Sequence, residues 1–481
     1  MTKSSGSGGS SDSLMKNPDL PIESPASRST PPPVALSALT NAQRSHVLVV
    51  AFFAWLFAGL EIALFVLIHR PAMISLMSTT STPDAVINEQ AVTQWFAWYQ
   101  AAFLIGAASG GWIFGVMGDR LGRTRSLGLS VLCYSLFTGA SYFARTPGEL
   151  LVLRFLACHG IGGTWPNTVA LVAEAWPAAS RPFLAGVLGT AANVGQVSMG
   201  MLGLGFAVTA AAWRWTFLVG AAPVLIGVWC LIGVPESVRW RMSRQTPSLQ
   251  AGGPLRELFR PPLRSRTIIG ILLGAIPVIG TAANAQWIVP WTDQVQALEK
   301  AVQSEVKPQD SVGKTNASAA PRPKADPKSK ARTMVSRSGG AVIGSLLGGL
   351  LATWLGRRFV YFLISLLSLC VSSWIFGWLN PLHPWFLWAS FTLGLVGTTY
   401  FGWLPLYLPE LFPTRVRAAG TGISFNTGRA VAAVVVLGTG LIVQWSGGNY
   451  ARIGWWTGMI YAAGMLIILF APKTNTTSLQ D

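Results

Sequence analysis

Charge is what this sequence has least of. Asp, Glu, Lys and Arg make up 11% of its 481 residues, where soluble proteins carry roughly 25%. A soluble fold of this length has too much surface to cover with so few charges, so the roughly three soluble domains that length alone suggests are excluded. Histidine and cysteine are scarce too, at four each. Cys133, Cys158, Cys230 and Cys370 lie in apolar stretches, with neither metal-ligand spacing nor a disulfide framework. His46, His69, His159 and His383 are scattered. No HExxH, Walker or nucleophile-elbow motif occurs, so we expect no metal, no cofactor, no enzyme and no ATP-driven pump. Acidic residues are few (18 against 35 basic, net +17), but the basic ones fall in short loops rather than on one face. A nucleic-acid partner is therefore not expected.

What is present is apolar. Hydrophobic residues are 51% of the chain, with 51 glycines besides, and the lipid bilayer is the partner this implies. Twelve runs approach the ~20 residues that cross a bilayer. They are 47–68, 95–118, 127–143, 150–175, 183–212 and 215–234 in the first half, and 267–289, 338–355, 360–379, 385–408, 418–444 and 453–470 in the second. Around them we expect a disordered tail at 1–45, a cytoplasmic loop at 236–266, a disordered insertion at about 293–337 and a short tail at 472–481. The first apolar run begins only near Val47, so no signal peptide is expected. With both termini inside, the cytoplasmic face receives 20 basic residues and the outer face 4, or 13 with the insertion. That bias predicts a multi-pass inner or plasma membrane protein with cytoplasmic termini.

The two halves repeat each other. GVMGDRLGRTR from Gly115 matches GLLATWLGRRF from Gly349 at an offset of 234. Glu174, Pro177 and Arg181 match Glu410, Pro413 and Arg417 at 236, and the Asn193–Gln196 stretch matches Asn426–Arg429 at 233. Three matches near one offset indicate duplicated bundles with a central site between them.

GDRLGRTR resembles the loop signature of the major facilitator superfamily (MFS). RFLACHGIGGTWPNTVALVAEAWP, PESVRW and PELFPTRVRAAGTGISFNTGR resemble its metabolite:proton symporter branch. That branch holds sialic acid, aromatic acid and carboxylate carriers and borders the sugar porters. The resemblance implies an all-α polytopic fold, with twelve transmembrane helices as two pseudo-symmetric six-helix bundles. The function it implies is proton-coupled import of a small organic acid by alternating access, with the proton as coupling ion. A sugar porter, a proton-driven drug exporter and a non-transporting membrane sensor are the alternatives. A monomer is expected. The chain departs from the branch where Ala58 and Glu61 replace two aspartates of span one, where Thr164 replaces a glutamate, and where Thr353 replaces the loop aspartate of the second half.

Glu61 and Arg154 lie at similar depth in spans one and four, which the resemblance makes cavity-lining. A carboxylate there costs on the order of 2.5–3.5 kcal/mol unless paired or neutral. Two readings stand: Glu61 carries the proton while an anionic substrate competes for Arg154, or the pair is a static brace. Arg429, at mid-membrane, contacts substrate or bonds to helix carbonyls or Gln196. Trp165, Asn167, Asn284, Trp287, Tyr400 and Trp403 are either substrate contacts or packing residues. By resemblance, Asp119, Arg120 and Arg123 form a charge latch, with Arg357 in the second copy. Glu174, Arg181, Glu410 and Arg417 are gating salt bridges or solvated helix ends.

Overall fold

The computed structural model describes residues 39–78, 88–176, 181–243, 254–305, 326, 328–413 and 416–474. The side chains of Arg181 and Arg417, residues 1–38 of the expected tail, 244–253 of the cytoplasmic loop and 475–481 of the terminal tail lie outside the described residues.

The first half contains α1 (Asn41–Ser78), α2 (Glu89–Leu121), α3 (Arg123–Ala140), α4 (Pro147–Ala175), α5 (Arg181–Gly205), α6 (Trp215–Ala221) and α7 (Val224–Gly233). Two short helices, α8 (Val238–Ser243) and α9 (Pro254–Leu258), lead into the second half. There follow α10 (Leu263–Ile279), α11 (Ile288–Glu305), α12 (Ser329–Trp354), α13 (Arg357–Trp378), α14 (Phe386–Glu410), α15 (Arg417–Ser446), α16 (Tyr450–Gly458) and α17 (Ile460–Ile467).

Every expected span falls on helix, and three are broken. Pro223, which has no N–H to give, separates α6 from α7. Beyond Pro277, a π turn (Gly280–Asn284) and a 3-10 turn (Ala285–Trp287) join α10 to α11. Among the described residues nine helical segments are long and apolar enough to cross a membrane. Helices α4, α5 and α14 are not among the nine.

Two boundaries differ from expectation. The fifth span ends at Gly205 rather than Ala212, and Thr209 and Ala212 instead form an isolated β-bridge. The insertion expected to be disordered over about 293–337 is helical at both ends, in α11 as far as Glu305 and in α12 from Ser329. Its centre, 306–325 and 327, lies outside the described residues. The polar residues at these ends bond to neighbouring helices, which hydropathy alone cannot distinguish from solvated loop.

The sequence repeat has a backbone counterpart. Gly122 (φ 112°) joins α2 to α3, and Gly356 (φ 90°), at the same offset of 234, joins α12 to α13. Both adopt backbone that side-chain-bearing residues avoid. Inside the bundles, helices meet backbone to backbone, as expected where lipid supplies no hydrophobic drive between them. A Cβ on Gly195 of α5 would stand 1.9 Å from the Leu56 carbonyl oxygen of α1, and one on Gly59 of α1 2.0 Å from that of Ala192. Gly394 of α14 meets the Arg337 carbonyl of α12 in the same way. The halves touch along α5 with α12 and α2 with α15.

Candidate transport site

Glu61 and Arg154 form a buried ion pair between α1 and α4. Arg154 Nη1 donates to Glu61 Oε1 at 3.0 Å, with side-chain exposures of 1% and 0%. The guanidinium lies over the Phe65 ring at 4.0 Å and near Phe103 at 5.4 Å. Glu61 Oε2 is buried without a hydrogen-bond partner. A Cβ on Gly220 of α6 would come within 2.9 Å of it. Arg154 Nε is likewise unsatisfied. One hydrogen bond joins the two groups, with the Thr138 hydroxyl the other polar side chain beside Glu61.

At the helix ends carrying the loop signature, the duplication builds one ion-pair cluster per half. Arg123 binds Asp119 (2.7 Å) and Glu174 (3.4 Å). Its repeat equivalent Arg357 binds Glu410 at 3.0 Å. Thr353, standing where the first half has Asp119, accepts a 3.5 Å contact from Arg357. Each glutamate also takes a hydroxyl hydrogen bond: Glu174 from Ser237, and Glu410 from Thr474 at 2.6 Å. The PESVRW segment is part of this cluster. Glu236 accepts from the Thr124 backbone N–H (3.1 Å) at the start of α3, and Trp240 Nε1 donates to the Asp119 carbonyl (2.8 Å). Arg120 is exposed and outside the cluster. The Arg123–Asp119, Arg123–Glu174 and Arg357–Glu410 pairs each lie within one half.

Four of the residues read as either substrate contacts or packing residues make hydrogen bonds inside the bundles. Asn167 donates to the carbonyls of Phe114 (3.1 Å) and Gly163 (2.8 Å), tying α4 to α2. Asn284 donates to the Gly454 carbonyl (2.6 Å) and accepts from Ser372 (3.0 Å). Tyr400 shares a 2.6 Å bond with Ser365, and Trp403 donates to the Arg357 carbonyl at 2.8 Å. All four are buried. Helical spacing shows that such residues share a face; it does not show which neighbour the face meets. Trp165 is half-buried against Trp55 (4.8 Å). Trp287 is enclosed by Phe96 and Tyr450, with its Nε1 unpartnered. Arg429 is half-buried over the Phe425 ring at 4.6 Å. Gln196, offered above as a partner for Arg429, accepts instead from Arg337 Nη2 at 3.1 Å.

At the opposite end the halves are tied together by residues the sequence reading did not single out. Arg70 of α1 binds Glu89 of α2 (2.5 Å) and reaches Asp293 of α11 (3.9 Å), which Lys330 of α12 approaches at 3.5 Å. Gln294 donates to Glu89 (3.3 Å) and to the Gly448 carbonyl (3.4 Å). Arg70 and Lys330 are 8% and 5% exposed and share one acidic bridge, Asp293. The charges were visible in the sequence, but the expected insertion hid two of them. Asp293→Asn should loosen this closure. A loss of about 1.4 kcal/mol corresponds to a tenfold larger open population, read as faster maleimide labelling of a cysteine introduced in place of Thr93, which is buried and donates to the Gly448 carbonyl. Unchanged labelling would show that the network does not hold this end shut.

The comparisons agree with this geometry. The family model described as Major Facilitator Superfamily matches residues 47–299. The chain is 27% identical over 382 residues to a probable 4-methylmuconolactone transporter of Cupriavidus pinatubonensis, covering 79% of this chain and 82% of that one. It is 26% identical over 354 residues to the cis,cis-muconate transport protein of Acinetobacter baylyi, covering 73% and 77%. Among solved structures, the xylose transporter XylE from E. coli, in a partially occluded inward open conformation, superposes with a TM-score of 0.65 at 17% identity, covering 91% of this chain and all of that one. Duplicated loop signatures, duplicated Arg–Glu clusters and a match across more than half the sequence lead to one conclusion: the chain belongs to the Major Facilitator Superfamily and is a multi-pass membrane transporter rather than an enzyme.

Proposed function

We propose that this transporter imports a small organic acid together with protons by alternating access. The observation that carries the reading is the Glu61–Arg154 pair, buried in a transporter whose relatives are named for muconate and a muconolactone. Glu61 takes up a proton, releases Arg154, and Arg154 accepts the substrate carboxylate; deprotonation re-forms the pair and expels the anion. Arg429 supplies a second positive contact, and Trp165 and Trp287 are the aromatic candidates for substrate contact. The Asp119 end faces the cytoplasm and the Arg70 end the outside, as the basic-residue bias favours. In this arrangement the outer end is latched across the halves, and the clusters around Arg123 and Arg357 brace each half as it rocks. The chain works as a monomer with no cofactor.

A pH-sensitive dye trapped inside proteoliposomes tests this reading. External cis,cis-muconate should acidify the lumen in the absence of any imposed gradient. A neutral sugar that does so while muconate does not would favour a sugar porter.

A further inference from the structure

Among the described residues, two buried arginines have a carboxylate: Arg70 has Glu89 and Arg154 has Glu61. Arg337 has none among the described residues, although it is 5% exposed. Its one hydrogen bond joins Nη2 to the neutral amide of Gln196, and its Nε is buried without a partner. Arginine keeps its charge in such surroundings, and a cation inside a membrane segment costs at least about 2.5–3.5 kcal/mol. A neutral amide orients that charge without neutralising it.

The surroundings are built for something anionic. Arg337 lies seven residues, or ~10 Å along α12, inward of Lys330 in the cross-half latch. Its backbone is pinned to the second half, where Gly394 of α14 packs against its carbonyl. Its guanidinium reaches across to the first half, to Gln196 of α5. Gln196 is oriented in turn by Asn193 (3.4 Å), which contacts the Ala341 carbonyl and Ser345 of α12, each at 3.4 Å. A polar string thus crosses the α5–α12 seam, with an uncompensated positive charge at its end.

Resting on the organic-acid reading above, we propose that Arg337, presented by Gln196, is a substrate-anion subsite on the seam between the halves. A substrate carboxylate accepts hydrogen bonds from the Nε–Nη2 edge and supplies the missing countercharge. Because the arginine belongs to one half and its orienting amide to the other, the bound anion contacts the surface on which the halves move. Arg337 thereby distinguishes an acid from its uncharged ester.

The test uses the purified full-length chain, with binding of cis,cis-muconate and of its dimethyl ester followed by thermal shift. Wild type should bind the acid about tenfold or more tightly than the ester. Arg337→Gln should weaken acid binding about tenfold or more and bring acid and ester together, with the ligand-free melting temperature unchanged or higher, since an uncompensated charge has been removed. Gln196→Leu should weaken acid binding several-fold, and Arg337→Lys should fall between wild type and Arg337→Gln. These two variants carry the test if Arg337→Gln does not fold. Acid binding within twofold of wild type in the variants, or a lower ligand-free melting temperature with acid selectivity intact, would make Arg337 a structural brace and leave the organic-acid reading standing. A wild-type chain that binds the ester or xylose in preference to the acid would overturn that reading, and this inference with it.

Discussion

Glu61→Gln is expected to reduce pH-gradient-driven accumulation of substrate to the level of empty liposomes, while exchange of substrate across the membrane persists. Glutamine keeps the shape of the side chain and can still accept the 3.0 Å hydrogen bond from Arg154 Nη1, but it cannot carry a proton. It also leaves the Arg154 charge without its carboxylate in a site 1% exposed. Breaking a buried pair from one side typically costs about 3–5 kcal/mol, so the ligand-free variant should melt earlier. An anionic substrate would restore the countercharge, so ligand stabilisation should be larger in the variant than in wild type. The reverse change, Arg154→Gln, should destabilise less, because a carboxyl left alone can shed its charge by taking a proton and a guanidinium cannot. It should nevertheless lose acid binding. Full gradient-driven accumulation by Glu61→Gln would show that the pair is a static brace between α1 and α4.

Gly195→Val is expected to have a large effect on folding. The added Cβ alone would sit 1.9 Å from the Leu56 carbonyl oxygen and 2.7 Å from the Leu60 nitrogen. Both are backbone atoms of α1 and cannot rotate away. Overpacking of a relaxed core costs about 1–3 kcal/mol, and a clash against backbone should reach or exceed the top of that range. The disturbance falls one residue before Glu61, so surviving protein should also show a weakened response to the acid. Gly189→Ala, in the same helix, is the matched control: its Cβ would meet nothing within 4 Å. It should stay within about 0.5 kcal/mol of wild type. The readout is the melting temperature and the monodisperse fraction after purification. Equal behaviour of the two variants would contradict the close α1–α5 contact.

Much of the architecture was readable because the signals are physical and one-dimensional. Apolar length fixed where helices run, and the 234-residue offset placed Gly122 and Gly356 at equivalent positive-φ turns. Depth arithmetic put Glu61 and Arg154 at one level of the membrane, and the repeated Glu–Pro–Arg spacing anticipated that Glu174 and Glu410 would occupy matching surroundings. What could not be read was rotation about the helix axes. Asn167, Asn284, Tyr400 and Trp403 share the spacing of cavity-lining residues, yet each makes a side-chain hydrogen bond between helices of one half. Polarity also misled at the ends of the insertion. Asp293, Lys330 and Arg337 read as loop, whereas in three dimensions they sit on helices, with Asp293 and Arg337 reaching partners in the first half. Hydropathy counts charges without registering which of them have partners.

Proton coupling of organic-acid uptake is the centre of this account, and radiolabelled cis,cis-muconate in proteoliposomes tests it most directly. With the outside acidic, label should accumulate above its external concentration, collapse on addition of a protonophore, and be competed by unlabelled organic acid but not by xylose. Accumulation that survives the protonophore, or uptake competed by xylose and not by the acid, would contradict it.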